Sequence, residues 1–373
     1  MPGIYIHIPF CKSRCLYCDF YSTTCLDQRD RYIDALLAEW SIRQSKHGGA
    51  YNTLYIGGGT PSQLTLDQLK RLLSPISDRL SPTAEVTIEA NPADLTPEYL
   101  KGLRSLGINR LSIGVQSFND KLLKIIGRRH TSADAMTALI WAREAGFDNI
   151  SADLIFGLPK QSLDEWAETE VASLLKFRPE HISTYCLSYE PGTALTRLRD
   201  QGKVKEQDEN RLNWMYEEAS ELFKEAGYEH YEVSNFALPN HRSQHNSSYW
   251  HNIPYLGLGA GAHSYDGKTR SWNIGNLERY IDQAMAQSLI PESETLTPYQ
   301  RYIESIMLGL RLNEGIDTSL IKTTDQWETV RYYEKNYCLE VSNNHIVATM
   351  NGLHILNQII EDLIYDEEEQ AGL

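Results

Sequence analysis

Three cysteines close to the start of the chain are spaced C-x3-C-x2-C, in the stretch Cys11-Lys12-Ser13-Arg14-Cys15-Leu16-Tyr17-Cys18. Thiolates this close on one loop can hold three irons of a single cubane, whereas four would saturate a [4Fe-4S] centre. Three leave one iron open to an exogenous ligand, which a chemically active cluster needs and an electron-transfer cluster does not. The competing use is zinc. Structural zinc takes four N or S ligands, commonly in C-x2-C pairs, and the x3 spacing fits that poorly. No second cysteine cluster follows: Cys186 and Cys338 are isolated, and Cys25 lies outside the triplet.

Other chemistry-bearing residues are scattered along the chain. Gly57-Gly58-Gly59-Thr60 directly follows a short apolar run. Its amides can bind a carboxylate or phosphate at a turn, or it can be an ordinary tight turn. No Gly-Lys-Ser/Thr follows, so it is not a P-loop. Glu89 and Asp153 are carboxylates suited to an ammonium group or a ribose diol, or to rim salt bridges. Gln116 and Arg128 are polar candidates on the unit between them; Arg128, followed by Arg129 and His130, can equally be a solvated charge. The hexapeptide His245-Asn246-Ser247-Ser248-Tyr249-Trp250 joins an imidazole to aromatic rings. Such a group can ligate haem iron and face a porphyrin, although a loop histidine more often makes hydrogen bonds. Gly257 to Ala262 fits G-x-G-x-x-A without a βαβ context, and close backbone packing is expected there instead of a dinucleotide.

The elements that must position these groups follow from periodicity. Ile4, Ile6 and Ile8 alternate with Tyr5 and His7, a strand pattern, and deliver the chain into the cysteine loop. Residues 28–46 have helical spacing. Further strands are expected at 53–56, 85–89, 110–115, 149–156 and 181–187, with helices at 66–80, 97–106, 119–126, 132–145, 163–176 and 206–226. Strand and helix alternate in units of about 25 to 35 residues, the pattern of a parallel sheet with right-handed crossovers. Six units precede residue 190. The cysteine loop, Gly58, Glu89, Gln116 and Asp153 all fall at or just past the C-terminal end of a strand, the active face of β/α barrels. The fold class expected is therefore α/β, a partial (β/α)6 TIM-like barrel. After residue 228 the texture changes to a polar loop with His241, His245 and His251, then the glycine run, then helices at 276–288 and 298–312. From about 313 a helix, a hairpin across Ser342-Asn343-Asn344-His345 and a helix from Asn351 to Tyr365 resemble a winged-helix module, followed by an acidic tail, Asp366 to Leu373.

The 373 residues carry a net charge of −15 and are 41% hydrophobic. A nucleic-acid binder shows a basic face, so nucleic acid is not the expected partner. The thiol usage suits a reducing cytosol, the start has no signal-peptide pattern, and no apolar run is long enough to span a membrane. A cytoplasmic protein is expected, with peripheral membrane contact left open.

The cysteine triplet within Tyr5-Ile-His-Ile-Pro-Phe-Cys11 through Cys18-Asp-Phe20 resembles the radical S-adenosylmethionine (SAM) superfamily. More closely, the chain is similar to the branch that contains the oxygen-independent coproporphyrinogen oxidases and the HemW haem chaperones. The resemblance covers nearly the whole chain and includes Gly57-Gly-Gly-Thr-Pro61, Glu89-Ala-Asn-Pro, Gly114-Val-Gln-Ser-Phe118, Asp153-Leu-Ile-Phe-Gly-Leu-Pro159 and the His245 hexapeptide. It implies that Cys11, Cys15 and Cys18 bind a [4Fe-4S] cluster and that SAM chelates the open iron, contacted by Tyr5, Gly58 and Glu89. Positions matching Tyr17, Gly59, Thr60, Gln116, Arg128, Asp153 and Leu187 hold a second SAM in the oxidases. It further implies that an electron from a donor such as flavodoxin or ferredoxin cleaves SAM to methionine and a 5′-deoxyadenosyl radical. The oxidases carry a fourth cysteine where this chain has Phe20, and an N-terminal extension for which the position of Cys11 leaves no room. Both departures, with the HNxxYW motif, resemble the chaperone side. That side implies haem as cargo, haem-accepting proteins as partners and His245 as the candidate iron ligand; the alternative is the oxidative decarboxylation of coproporphyrinogen III. On this resemblance the chain divides into a barrel over 1–228, an extension carrying HNxxYW over 229–297 and a C-terminal module over 298–373.

Overall fold

The structure, a computed structural model, describes residues 2–44 and 49–364. Six strands, β1 (Gly3–Ile8), β2 (Tyr51–Gly58), β3 (Leu80–Ala90), β4 (Arg110–Gln116), β5 (Ile150–Phe156) and β6 (His181–Cys186), lie side by side in chain order, each pair parallel. Alternation along each strand sorts the side chains onto two faces. Ile4, Ile6 and Ile8, Leu54 and Ile56, Val86 and Ile88, Leu111, Ile113 and Val115, and Ala152 and Leu154 all enter one continuous buried core. That core lies outside the sheet, under α1 (Arg29–Arg43), α2 (Leu66–Ser77), α3 (Pro97–Ser105), α5 (Ser132–Glu144) and α6 (Ala172–Phe177), while α4 (Asp120–Ile125) packs Leu122 into a separate small cluster with Ile155 and Leu187. The opposite face carries Thr53, Tyr55, Glu85, Thr87, Glu89, Arg110, Ser112, Ser151, Asp153, His181 and Ser183. This is the expected partial (β/α)6 barrel, with a polar interior where a closed barrel has a packed apolar one.

Local sequence sets the helix starts. Thr65 and Thr131 accept from the amides of Gln68 and Asp134, whose side chains bond back in capping boxes. Gly107 and Gly146 follow the ends of α3 and α5. The helix expected over 163–176 begins instead as a π-helix, Glu165–Val171, before α6.

Both edges of the six strands are extended. On one side β8 (Asn235–Ala237) adds antiparallel to β6, and β7 (Glu229–Glu232) adds antiparallel to β8. On the other, β9 (Tyr255–Leu258) is parallel to β1 and leads to the antiparallel β10 (His263–Tyr265), β11 (Thr269–Trp272) and β12 (Glu292–Thr295). The sheet thus has 12 strands. The six strands added at the edges, in a stretch where no strand was expected, are none longer than four residues, too short for period two to register. Gly257 packs closely as expected: a Cβ there would meet the His263 carbonyl oxygen at 1.8 Å. Helices α7 (Ala194–Asp200), α8 (Glu209–Glu225), α9 (Gln244–Trp250) and α10 (Leu277–Met285) complete this part.

The β9 side is tied to α1 by one buried carboxylate. Glu39 accepts from the Gly259 amide at 2.9 Å, the Tyr280 hydroxyl at 2.6 Å, the Asn273 amide at 2.8 Å and Arg43 at 2.7 Å.

The C-terminal part has α11 (Pro298–Gly309), α12 (Thr324–Lys335), α13 (Met350–His354) and α14 (Leu356–Leu363) around a three-stranded sheet. Its order is β13 (Ile316–Asp317), β15 (His345–Ala348), β14 (Leu339–Ser342), and it has its own core around Ile306, Val330, Ile346 and Ile359. The hairpin turns at Asn343 and Asn344, both with positive φ, the residue type a two-residue turn of this hand requires. The helix expected from Asn351 is broken at Ile355. The acidic tail, Tyr365, and residues 45 and 46 of the first expected helix lie outside the described residues. No helix among the described residues is long and apolar enough to cross a membrane.

Removing a buried acceptor strands its donors, at a cost of about 3–5 kcal/mol for a charged group. Glu39→Ala is therefore expected to destabilise the protein by about that amount in urea unfolding, with Arg43→Ala milder because its side chain is partly exposed.

Candidate functional site

The C-terminal ends of β1 to β6 open into a cavity of about 580 Å³. The cysteine loop forms part of its mouth and is stitched to the barrel by backbone hydrogen bonds: Cys11 N to Thr23 O (2.8 Å), Leu16 N to Ile126 O (3.0 Å) and Leu195 N to Leu16 O (2.8 Å). Cys11, Cys15 and Cys18 all line the cavity, as do Tyr17, Gly58, Gly59, Thr60, Glu89, Gln116, Arg128, Asp153 and Leu187. Residues more than 170 positions apart in sequence are brought to one rim. Two candidates are not among the lining residues, Tyr5 and His245. They sit beneath the floor, where the Tyr5 hydroxyl bonds His7 Nδ1 at 3.0 Å and its ring stacks on Tyr55 and His245.

Cys11, Cys15 and Cys18 are free thiols, the donor set that a cubane cluster takes. Among the described residues no three His, Cys, Asp or Glu side chains are close enough to share one metal ion. Cys11 Sγ lies 3.5 Å from the Thr60 hydroxyl, and a Cβ on Gly59 would come within 3.0 Å of the sulfur, so only glycine lets the main chain pass there. Cys15 Sγ lies 3.5 Å from Arg128, which also donates to the Gly114 carbonyl at 2.7 Å. Arg128 thus lines the cavity beside Cys15 and is not a solvated charge. Burial pushes the Cys11 and Cys18 thiols up.

The glycine turn serves a different purpose from an anion nest. Gly58, at φ +114°, gives its amide to Glu89 Oε2 at 3.0 Å, and the Gly59 amide bonds Ile8 O at 2.9 Å. Both amides are engaged within the chain: that of Gly58 orients Glu89, and that of Gly59 ties the turn to β1. Its other oxygen accepts from Tyr55 at 2.9 Å. Removal from water raises Glu89 to about 7, against the pull of those two donors, and the same cause raises Asp153 to about 6. Gln116 closes β4 at φ +65°, a conformation a non-glycine residue adopts only where its surroundings enforce it.

The surroundings that enforce it were not visible in the sequence. Glu170 Oε1 accepts from the Ser117 hydroxyl and Oε2 from the Phe118 amide, each at 2.5 Å. Glu165 accepts from the Asn119 amide group. Five residues of α-helix rotate a side chain by about 140° away from its start. The π-helix, bonded i to i+5, brings Glu165 and Glu170 onto one face instead, so both grip the loop after Gln116.

A family model described as the Radical SAM superfamily matches residues 5–170. The heme chaperone HemW of Bacillus subtilis is 42% identical over 323 residues, 85% of each chain. That of Lactococcus lactis is 40% identical over 373 residues, 97% of each chain. The chain belongs to the HemW family of radical SAM proteins. Among solved structures, the coproporphyrinogen III oxidase (HemN) of Escherichia coli matches with a TM-score of 0.83 at 25% identity, over 97% of this chain and 90% of that one.

In this HemW-family chain the position of the oxidases' fourth cysteine is taken by Phe20, 70% exposed at the cavity mouth. The HNxxYW motif is not on a loop. It forms α9, capped by Ser243, and Glu85 inside the barrel accepts from the amides of Gln244 at 3.2 Å and His245 at 3.1 Å, a carboxylate at the positive helix end. His245 is buried, with Nδ1 2.8 Å from the Thr53 hydroxyl and Nε2 2.8 Å from the Tyr249 hydroxyl. Burial lowers it to about 3, so it is neutral and both nitrogens are engaged. Asn246 reaches the cavity. The sequence signal for the further lining residues Arg110, Ser112, Ser151 and Ser183 was the polar half of the strand alternation.

Glu170 is buried and raised to about 7, above its ordinary value, so folding holds a proton there that the unfolded chain releases near pH 4.5. Its contribution to stability falls as pH rises from about 4.5 to 7. Glu170→Gln is expected to flatten that part of the urea-stability profile, by roughly 3 kcal/mol across the window. Glu170→Ala is expected to cost about 2–5 kcal/mol at pH 5 by leaving two buried donors unpaired.

Proposed function

We propose that the protein is a haem chaperone that carries a [4Fe-4S] cluster on Cys11, Cys15 and Cys18, binds SAM at the barrel rim and delivers haem to haem proteins. The observation that carries the reading is full-length similarity to a HemW protein, 40% over 97% of both chains, in a chain whose fourth-thiolate position is Phe20. When bound, the cluster and SAM supply one-electron chemistry, with flavodoxin or ferredoxin as the class of donor. The chain's part is binding and orientation. Glu89, fixed by Tyr55 and the Gly58 amide, offers acceptors to an ammonium or hydroxyl group. Arg128 and Tyr17 flank the cysteines, and Thr60, Gln116, Asp153 and Leu187 complete the wall.

The haem step involves His245 only if α9 yields. Its Nε2 is held by Tyr249, so iron ligation requires that hydroxyl to leave and α9 to lift from Glu85. Tyr249→Phe is then expected to tighten haem binding several-fold, and His245→Ala to weaken it, in a visible-absorption titration. Identical spectra and affinities in both variants would remove His245 from the haem step.

The match to coproporphyrinogen III oxidase supports a second reading, oxidative decarboxylation of coproporphyrinogen III. Anaerobic incubation of the reduced, reconstituted protein with SAM and coproporphyrinogen III separates the two. Haem binding without protoporphyrinogen formation is expected, and steady turnover would favour the oxidase. Replacing Cys11, Cys15 and Cys18 together by Ala is expected to abolish the iron-sulfur absorption in either case.

A further inference from the structure

Arg110 opens β4 and points into the barrel on the same face as Ser112, Gly114 and Gln116. It is 1% exposed and lines the cavity. Six residues of strand, roughly 20 Å, separate its backbone from Gln116 at the rim, so it belongs to the floor. Among the described residues its guanidinium makes neither an ion pair nor a side-chain hydrogen bond, and its buried Nε has no partner. Directly beside it, in register on β3, Thr87 is fully buried with an unbonded hydroxyl.

An arginine cannot shed its charge, and a buried unpaired cation costs several kcal/mol. The nearby acid does not complete it. Asp153 is within electrostatic reach but bonds Ser112 at 3.4 Å and Ser183 instead. The other groups facing Arg110, His181 and His245, are neutral imidazoles lowered by burial, and Tyr55 and Tyr231 are phenols. A planar fork with free N–H groups and an open cavity above match an incoming carboxylate, which arginine binds with two parallel bonds.

We propose that Arg110 is an anion receptor on the cavity floor that takes a carboxylate of the bound ligand, at a point separate from the cysteine rim. The carboxylate can come from the amino-acid end of a SAM molecule or from a propionate of a tetrapyrrole. The inference deepens the proposed function, resting on its reading of the cavity as a ligand site.

The test uses full-length, cluster-reconstituted protein. First, acetate is compared with chloride at matched ionic strength in thermal unfolding. Wild type is expected to gain stability with acetate, Arg110→Gln to gain none, and Arg110→Lys to keep a partial gain because it keeps charge without the fork. Equal acetate gains in wild type and Arg110→Gln, or none in wild type, overturn the receptor whatever the cavity's natural ligand. Second, SAM and haem affinities are measured in the same proteins. A loss of about 10- to 100-fold for SAM alone assigns the amino-acid carboxylate. The same loss for haem alone, reproduced in wild type by the haem dimethyl ester and not deepened in the variant, assigns a propionate. Unchanged affinities for both, with Asp153→Asn restoring the stability of Arg110→Gln, would make Arg110 only a counter-charge and overturn the proposal. Wild type that responds to acetate but binds neither SAM nor haem leaves the receptor standing and sinks the chaperone reading instead.

Discussion

A parallel sheet must hide one face, and in this chain that face is the outer one. The isoleucines of β1 and their counterparts on the next strands go under the helices, and the core is complete without the interior. The interior strand positions are thereby released from packing. They carry carboxylates, serines, threonines and a buried arginine, and they enclose a cavity. Everything at the site depends on this division of labour between the two faces. It needs an incomplete barrel, because six strands leave the edges apart and the interior too wide for side chains alone to fill.

The open interior then has to be sealed from below and held at its edges. Helix α9 does the first. Its amides sit on Glu85, its imidazole bridges Thr53 and Tyr249, and the rings of Tyr5 and Tyr55 stack above it. Glu39 does the second on the β9 side, gathering four donors from α1, the glycine run, the following loop and α10. On the β7 side, Val233 and Asn313 exchange backbone bonds with Arg311 and Tyr231, and His354 meets Glu217 at 2.7 Å, so the C-terminal module leans on the same sheet. These polar joints work alongside apolar ones: Leu256 and Leu258 of β9, Ile281 and Ala284 of α10 and, at the C-terminal part, Leu353 pack against the same core.

Positioning at the rim is likewise indirect. The glycine turn spends its amides on Glu89 and on β1, and Gln116 keeps an unfavoured backbone conformation because a π-helix aims two carboxylates at the residues after it. The chemistry-bearing side chains lie on the cysteine loop and at strand ends, and the loop after Gln116 is held by Glu170, more than 50 residues further along the chain.

The sequence by itself determined the cysteine triplet, the six strand-helix units and the gathering of Gly58, Glu89, Gln116 and Asp153 at strand ends. These are local facts: spacing, period and position within a unit. It also carried the family, through motifs that are contiguous. It could not determine that Arg128 turns into the cavity beside Cys15, that Glu170 supports Gln116, that His245 is a buried pin on a helix, or that the Gly58 and Gly59 amides are already engaged. Each of those depends on a partner between 31 and 192 residues away, and a side chain's role is set by what stands opposite it. The six edge strands escaped notice because segments of three or four residues show no period. Their pairing is decided by the unsatisfied edges of a sheet that exists only once the chain has folded.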